Sequence, residues 1–152
     1  MKKLLMILVG LIFVAVAFSG AYAQFAKPEY AIKYRKSVMF LIAQHFGRMG
    51  AMVKEKIPYN QEVFAKNAML VETLSRLPWE AAMVPGTDSG DTTLNSEVFM
   101  QLAKFKEVSQ NFETQTTKLV SAAQSGDLIS IKTQFGQVGK SCKACHSQFR
   151  TK

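Results

Sequence analysis

Leu128 to Phe149 reads LISIKTQFGQVGKSCKACHSQF, and the spacing inside this stretch decides how the rest of the chain is read. Leu128, Ile131, Phe135, Val138, Cys142, Cys145 and Phe149 follow one another at alternating steps of three and four, the apolar face of one helix. Gly126 and Asp127 ahead of it read as the stop of one helix and the N-cap of the next. Both cysteines lie on the apolar stripe, so a group joined to them lies inside whatever this helix helps to build. Cys142-Lys143-Ala144-Cys145-His146 has the spacing of a c-type haem attachment site. Two thiols one helical turn apart reach the two vinyl groups along a haem edge, and the next residue supplies the iron ligand. His146 would coordinate as a neutral imidazole, its other ring nitrogen held by a carbonyl or a water.

Cys-x-x-Cys also serves redox dithiols and zinc sites. A thioredoxin-like dithiol wants a βαβ surround, and a four-ligand zinc site wants a second pair of ligands. The chain has no other cysteine and one other histidine, His45. The reading is therefore one haem c per chain, bound covalently through Cys142 and Cys145, with His146 as the axial iron ligand. A structural or disulfide-forming pair is the alternative.

The 152 residues begin with an export leader. Lys2-Lys3 is a positive n-region, Leu4 to Phe18 an apolar run too short for a membrane span of about 20 residues, and Ala21-Tyr22-Ala23 a small-x-small cleavage site. Residues 1–23 are expected to be removed as a signal peptide, the alternative being an uncleaved anchor. Residues 24–152 then form one periplasmic domain with a single core and no membrane span. An oxidising compartment would join two lone cysteines unless thioether formation consumed them first. The formal charge is +8, of which Lys2 and Lys3 belong to the leader. The remaining excess is scattered, with no dense basic run or aromatic-interleaved stripe, and this argues against nucleic acid. It suits an acidic redox partner or an anionic surface.

The remaining pattern is helical. After Pro28 and Glu29, residues suited to a first helical turn, Ile32, Arg35, Met39, Ile42, Phe46, Met49 and Val53 keep the same three-four alternation up to Pro58. A second helix is expected from Asn60 to Leu77 with Val63, Asn67, Leu70, Leu74 and Leu77 inward, stopped by Pro78. Residues 78–95 hold turn signals at Pro85-Gly86 and Ser89-Gly90-Asp91, and form one long crossover. A third helix from Asn95 or Ser96 places Val98, Leu102, Phe105, Ser109, Phe112, Thr116, Leu119 and Ala123 on its core face. The fold expected is all-α: an antiparallel four-helix bundle with one long crossover between the second and third helices.

Two residues on the first seam need explanation. A charge at Arg35 is expensive to bury unless it is paired; a haem propionate would pair it, or the side chain would reach solvent at the bundle's end. Met39 is either a sixth iron ligand, which would make a low-spin electron carrier, or an apolar plug over an open iron face; the plug is the favoured reading. His45 follows Met39 by six positions, about 240° round the helix, and is read as a surface or inter-helix residue. Arg150 comes four residues after His146, either flanking the ligand or favouring the helix C-terminus. No catalytic acid, base or nucleophile constellation is present.

On these residues the chain resembles the class II c-type cytochromes, and more closely the cytochrome c′ family. The resemblance is carried by Gln24-Phe25-Ala26-Lys27-Pro28 leading to Lys33-Tyr34-Arg35, by Leu77-Pro78-Trp79 with Pro85-Gly86-Thr87, and by Val138 to His146. It implies a left-twisted four-helix bundle, often a homodimer. It also implies five-coordinate high-spin haem with a crowded distal face that binds nitric oxide and carbon monoxide, with a role in nitric oxide handling or electron transfer and not as an enzyme. By position it implies Cys142 and Cys145 as haem attachment points, His146 as proximal ligand, Arg150 beside it, Arg35 with Lys36 on the propionate side, and Asp91 and Thr92 as haem contacts in the crossover. Met83-Val84 departs from the usual Phe-Gly there. Met39 stands where low-spin members of the class have an axial methionine, so it also carries the alternative of a low-spin electron carrier.

Overall fold

The computed structural model describes residues 25–151, so the expected signal peptide lies outside the described residues. The helices in order are α1 (Pro28–Val53), α2 (Gln61–Ser75), α3 (Pro78–Ala82), α4 (Glu97–Met100), α5 (Leu102–Ser125) and α6 (Leu128–Phe149). The four long ones form the bundle, and the expected crossover contains α3. No described helix is long and apolar enough to cross a membrane.

Local chemistry sets the helix ends. The Asn60 side chain accepts a hydrogen bond from the Val63 N–H at 2.9 Å and caps α2. Gly126 closes α5 at φ 73°, a left-handed conformation that favours glycine. Asp127 then caps α6, accepting from the N–H groups of Ile129 and Ser130 at 3.1 and 3.2 Å. The Ser130 hydroxyl, followed by those two N–H groups, holds the Asp127 carboxyl below the usual carboxylate range. A group depressed in this way stabilises the fold above its unfolded pKa, and the advantage is lost as pH falls through the folded value. Asp127→Ala should therefore lower Tm at neutral pH, with the gap to the parent closing as pH drops below the carboxylate range. Circular dichroism melts from pH 7 to pH 2 check this; a gap constant across the series would show that the charge contributes nothing.

Three sides of the bundle are closed by packed helices, α1 on α2, α2 on α5 and α5 on α6. On the α2–α5 side the Thr116 hydroxyl donates to Ser75 Oγ at 3.1 Å, both residues fully buried. The backbones of α1 and α6 scarcely approach each other. Those two helices meet through side chains near one end. Phe46 and Phe135 stack there with ring centroids 4.1 Å apart and planes 6° from parallel. Gly50 backs the stack, since a Cβ there would fall 3.2 Å from the Phe135 ring. Lys132 reaches Glu55 at 2.7 Å from the same two sides.

The expected seam of α1 is buried or half-buried throughout, and that of α6 likewise except for Leu128 at its exposed start. Two expectations differ. The third helix is interrupted at Gln101 (φ −122°, ψ 46°), which separates α4 from α5 and leaves Leu102 on the surface. On α2 the inward face is Phe64, Asn67, Ala68, Val71 and Ser75, whereas Val63, Leu70 and Leu77 face outward. This helix carries two apolar stripes one residue apart. The stripe with the phenyl ring of Phe64 takes the core because an aromatic ring removes more apolar surface from water than a valine.

Candidate haem site

Beyond the Phe46–Phe135 stack, with Phe46 itself in the lining, α1 and α6 part around a cavity of about 660 Å³. Residues from α1, α6, α5 and the crossover line it, and most of the lining is apolar. Phe105 and Phe112 come from α5. Trp79 comes from α3, edge-on to both phenyl rings with centroids 5.9 and 6.0 Å away. The Trp79 indole N–H is buried without a partner among the described residues.

Cys142, Cys145 and His146 enter this cavity from α6. The cysteines are free thiols. Burial pushes both up to about 11, Cys145 further influenced by the charge of Cys142. Thiols so far above neutrality are poor nucleophiles for disulfide exchange, which needs a depressed thiol pKa. This weighs against a dithiol enzyme. Burial, and then the nearby Arg150 charge, lowers the pKa of His146 and so favours the neutral imidazole that iron requires. Among the described residues no group of three His, Cys, Asp or Glu side chains is arranged to hold a bare metal ion.

Arg35 reaches the cavity from α1 at only 6% exposure. Its guanidinium donates to the carbonyls of Ala81 and Thr87 and to Thr92 Oγ1, at 3.1, 3.1 and 2.7 Å, and so ties the crossover to α1. No described carboxylate forms a salt bridge with it, and burial lowers its pKa. Lys36, next along, bonds Asp91 Oδ2 at 2.6 Å and the Asp91 carbonyl at 3.2 Å. Met39 lines the same space and packs against the Val38 and Ile42 core.

Arg150 departs from the expected helical geometry. It lies just past α6 with extended backbone (φ −121°, ψ 139°), forms an isolated bridge with Leu94 and donates from Nε to Thr93 Oγ1 at 3.1 Å. It still lines the cavity. His45 does not; its Nδ1 lies 2.8 Å from Asn67 Oδ1 and joins α1 to α2, as an inter-helix histidine does. The residues singled out in the sequence as haem contacts thus converge on one space: Arg35, Lys36 and Met39 from α1, Asp91 and Thr92 from the crossover, and Cys142, Cys145, His146 and Arg150 from the C-terminal end. Nothing in the sequence singles out the far wall: Phe105 and Phe112 read there as core positions, and Trp79 stands out only as part of a resemblance.

These residues fit a haem. The cavity is large and mainly apolar; two thiols and an imidazole meet in it, and a buried cation without an ionic partner waits for a carboxylate. A helical bundle that brings Cys-x-x-Cys-His into such a cavity from its last helix defines the class II c-type cytochromes.

The comparisons are specific. The Cytochrome C′ family model matches residues 30–150. Cytochrome c′ of Alcaligenes xylosoxydans xylosoxydans is 47% identical over 129 residues, covering 85% of this chain and 99% of that protein. Cytochrome c′ of Rubrivivax gelatinosus is 44% identical over 130 residues, covering 85% and 100%. Among solved structures, cytochrome c prime from Shewanella frigidimarina superposes with a TM-score of 0.82 at 38% identity, covering 85% of this chain and 100% of that one. A nitric oxide complex of a variant of cytochrome c prime from Alcaligenes xylosoxidans does so at 0.79 and 46% identity, covering 85% and 99%. The chain belongs to the cytochrome c′ family, whose members carry covalently attached haem c.

Proposed function

We propose that residues 24–152, exported to the periplasm after removal of residues 1–23, bind small gases at a single five-coordinate, high-spin haem c and exchange electrons with redox proteins. Cys142 and Cys145 hold the haem by thioether bonds, and His146 ligates the iron. Arg35 takes a propionate with Lys36 alongside, Asp91 and Thr92 bracket that edge from the crossover, and Arg150 flanks the proximal side. The bound haem supplies an iron with one open coordination position for nitric oxide or carbon monoxide. The observation that carries this reading is the meeting, in one mainly apolar cavity, of two thiols, an imidazole and a buried guanidinium that no described carboxylate pairs with.

Met39 guards the open face as an apolar plug. Its packing against the buried core of the bundle supports that role, as does the nitric oxide complex of a variant of the Alcaligenes relative. No acid, base or nucleophile is needed, so the protein is a gas-binding and electron-transfer protein and not an enzyme. Val63 and Leu70 on α2, with Leu77 just past its end, are 47%, 39% and 36% exposed and suit a homodimer contact.

Optical and electron paramagnetic resonance spectra of the mature protein test the reading. High-spin ferric iron and a ferrous form that takes up carbon monoxide are expected. A six-coordinate low-spin ferrous haem indifferent to carbon monoxide would replace it with the Met39-ligated electron carrier.

A further inference from the structure

The gap between α1 and α6 is also where the molecule's charge is most one-sided. α6 contains no Asp or Glu, and α1 contains one, Glu29 in its first turn. Against it stand Lys33, Arg35, Lys36 and Arg48 on α1, and Lys132, Lys140 and Lys143 on α6, with Arg150 just beyond. Among the described residues the single carboxylate lining the cavity is Asp91, and Lys36 holds it at 2.6 Å. The helices on the opposite side mix their signs: Glu62 and Glu72 with Lys66 on α2, Glu107 and Glu113 with three lysines on α5. Lys140 and Lys143 are exposed, three residues apart on one helical face, and bracket Cys142 in sequence. Across the gap, Phe40 lines the cavity and is nonetheless 62% exposed.

From this placement we infer that the α1–α6 mouth is the docking face for an acidic redox protein, with Phe40 as apolar contact, Lys36 and Arg150 in the lining, and Lys140 and Lys143 on the exposed surface of α6 next in sequence to the lining residues Gly139 and Cys142. The inference rests on the haem reading, since a haem held by Cys142 and Cys145 would occupy the cavity behind this mouth. A positive rim steers a negative partner to the one place where the distance to the cofactor is shortest, and its main effect is on the association rate. A second copy of this chain would bring like charges together here, so self-association through this face is disfavoured. The exchange is of a single electron: the partner's reduced cofactor is oxidised by one electron as ferric iron becomes ferrous.

The test follows reduction of the ferric holoprotein by an acidic flavodoxin in its hydroquinone form, which passes to the semiquinone, by stopped flow at low ionic strength and then in about 0.15 M salt, where screening shortens to about 8 Å. The parent should be fast at low salt and slow down as salt rises. Lys140→Glu with Lys143→Glu should lower the low-salt rate roughly tenfold or more. Lys66→Glu with Lys118→Glu makes the same change in net charge on the α2–α5 side and should stay within about twofold of the parent. Equal losses in both variants, or a loss in neither, would overturn the docking face. So would vesicles of phosphatidylglycerol and phosphatidylcholine that bind the parent but not the Lys140→Glu, Lys143→Glu variant, if electron exchange were unaffected, because the face would then be a membrane contact. A pyridine haemochrome assay on each sample keeps the two levels apart: a parent without covalent haem removes the haem reading itself, whereas haem-loaded variants with uniform rates remove only the docking face.

Discussion

Produced with the haem-attachment machinery, the chain carrying Cys142→Ser and Cys145→Ser will hold no covalent haem and will lose its cooperative melt. A side of the bundle lined by apolar residues around a cavity of about 660 Å³ lacks the packing contacts that its occupant would supply, and losing even one large buried side chain costs about 3–5 kcal/mol, comparable with the whole stability of a marginal domain. Arg35 adds to the burden by remaining a buried cation without a carboxylate. The expected product keeps much of its helical circular dichroism, loses near-ultraviolet signals and binds ANS, the behaviour of a bundle whose specific packing has gone. Calorimetry decides the matter. A haem-free protein melting in one sharp transition within a few degrees of the parent would show that the cavity does not depend on its occupant.

The second large effect is expected at Met39. If its side chain crowds the open iron face, a bound gas must displace it, and overpacking of that kind costs about 1–3 kcal/mol. At about 1.4 kcal/mol per factor of ten, Met39→Ala should speed carbon monoxide association with the ferrous protein by roughly 5- to 150-fold. The ferric iron should stay high-spin in parent and variant alike. Flash photolysis and electron paramagnetic resonance on the same samples separate the two roles of Met39. A parent that is low-spin and turns high-spin on substitution would make Met39 a ligand and end the plug reading.

The two helices that carry the cofactor chemistry were the easiest to read. The expected seams of α1 and α6 are buried or half-buried apart from Leu128, and the residues that stand out on them, the charged Arg35 and the two cysteines, are among those that line the cavity. α2 misled because its two stripes differ by one position, and periodicity alone cannot say which stripe meets the core. The break at Gln101 was hidden for a related reason: the apolar spacing runs on across it from Val98 to Phe105, while the backbone does not. Arg150 was placed in the correct region by a helical rule that does not apply, since the chain is already extended there and Leu94 and Thr93 hold it. The crossover contacts were legible only through resemblance. Their physical cause, one guanidinium gathering two carbonyls and a hydroxyl, depends on a fold that brings Arg35 to residues more than 45 positions away.

Gly50 gives the bundle a fulcrum. Its bare Cα lets the Phe135 ring lie flat on Phe46, and a single added methyl group would sit 3.2 Å from that ring, closer than ordinary van der Waals contact. The ring would have to yield by a few tenths of an ångström, and the stack that joins α1 to α6 would shift with it. Because the same two helices form the jaws that grip the prosthetic group, the width of the grip is set in part by the smallest side chain on α1, at the far end from either cysteine.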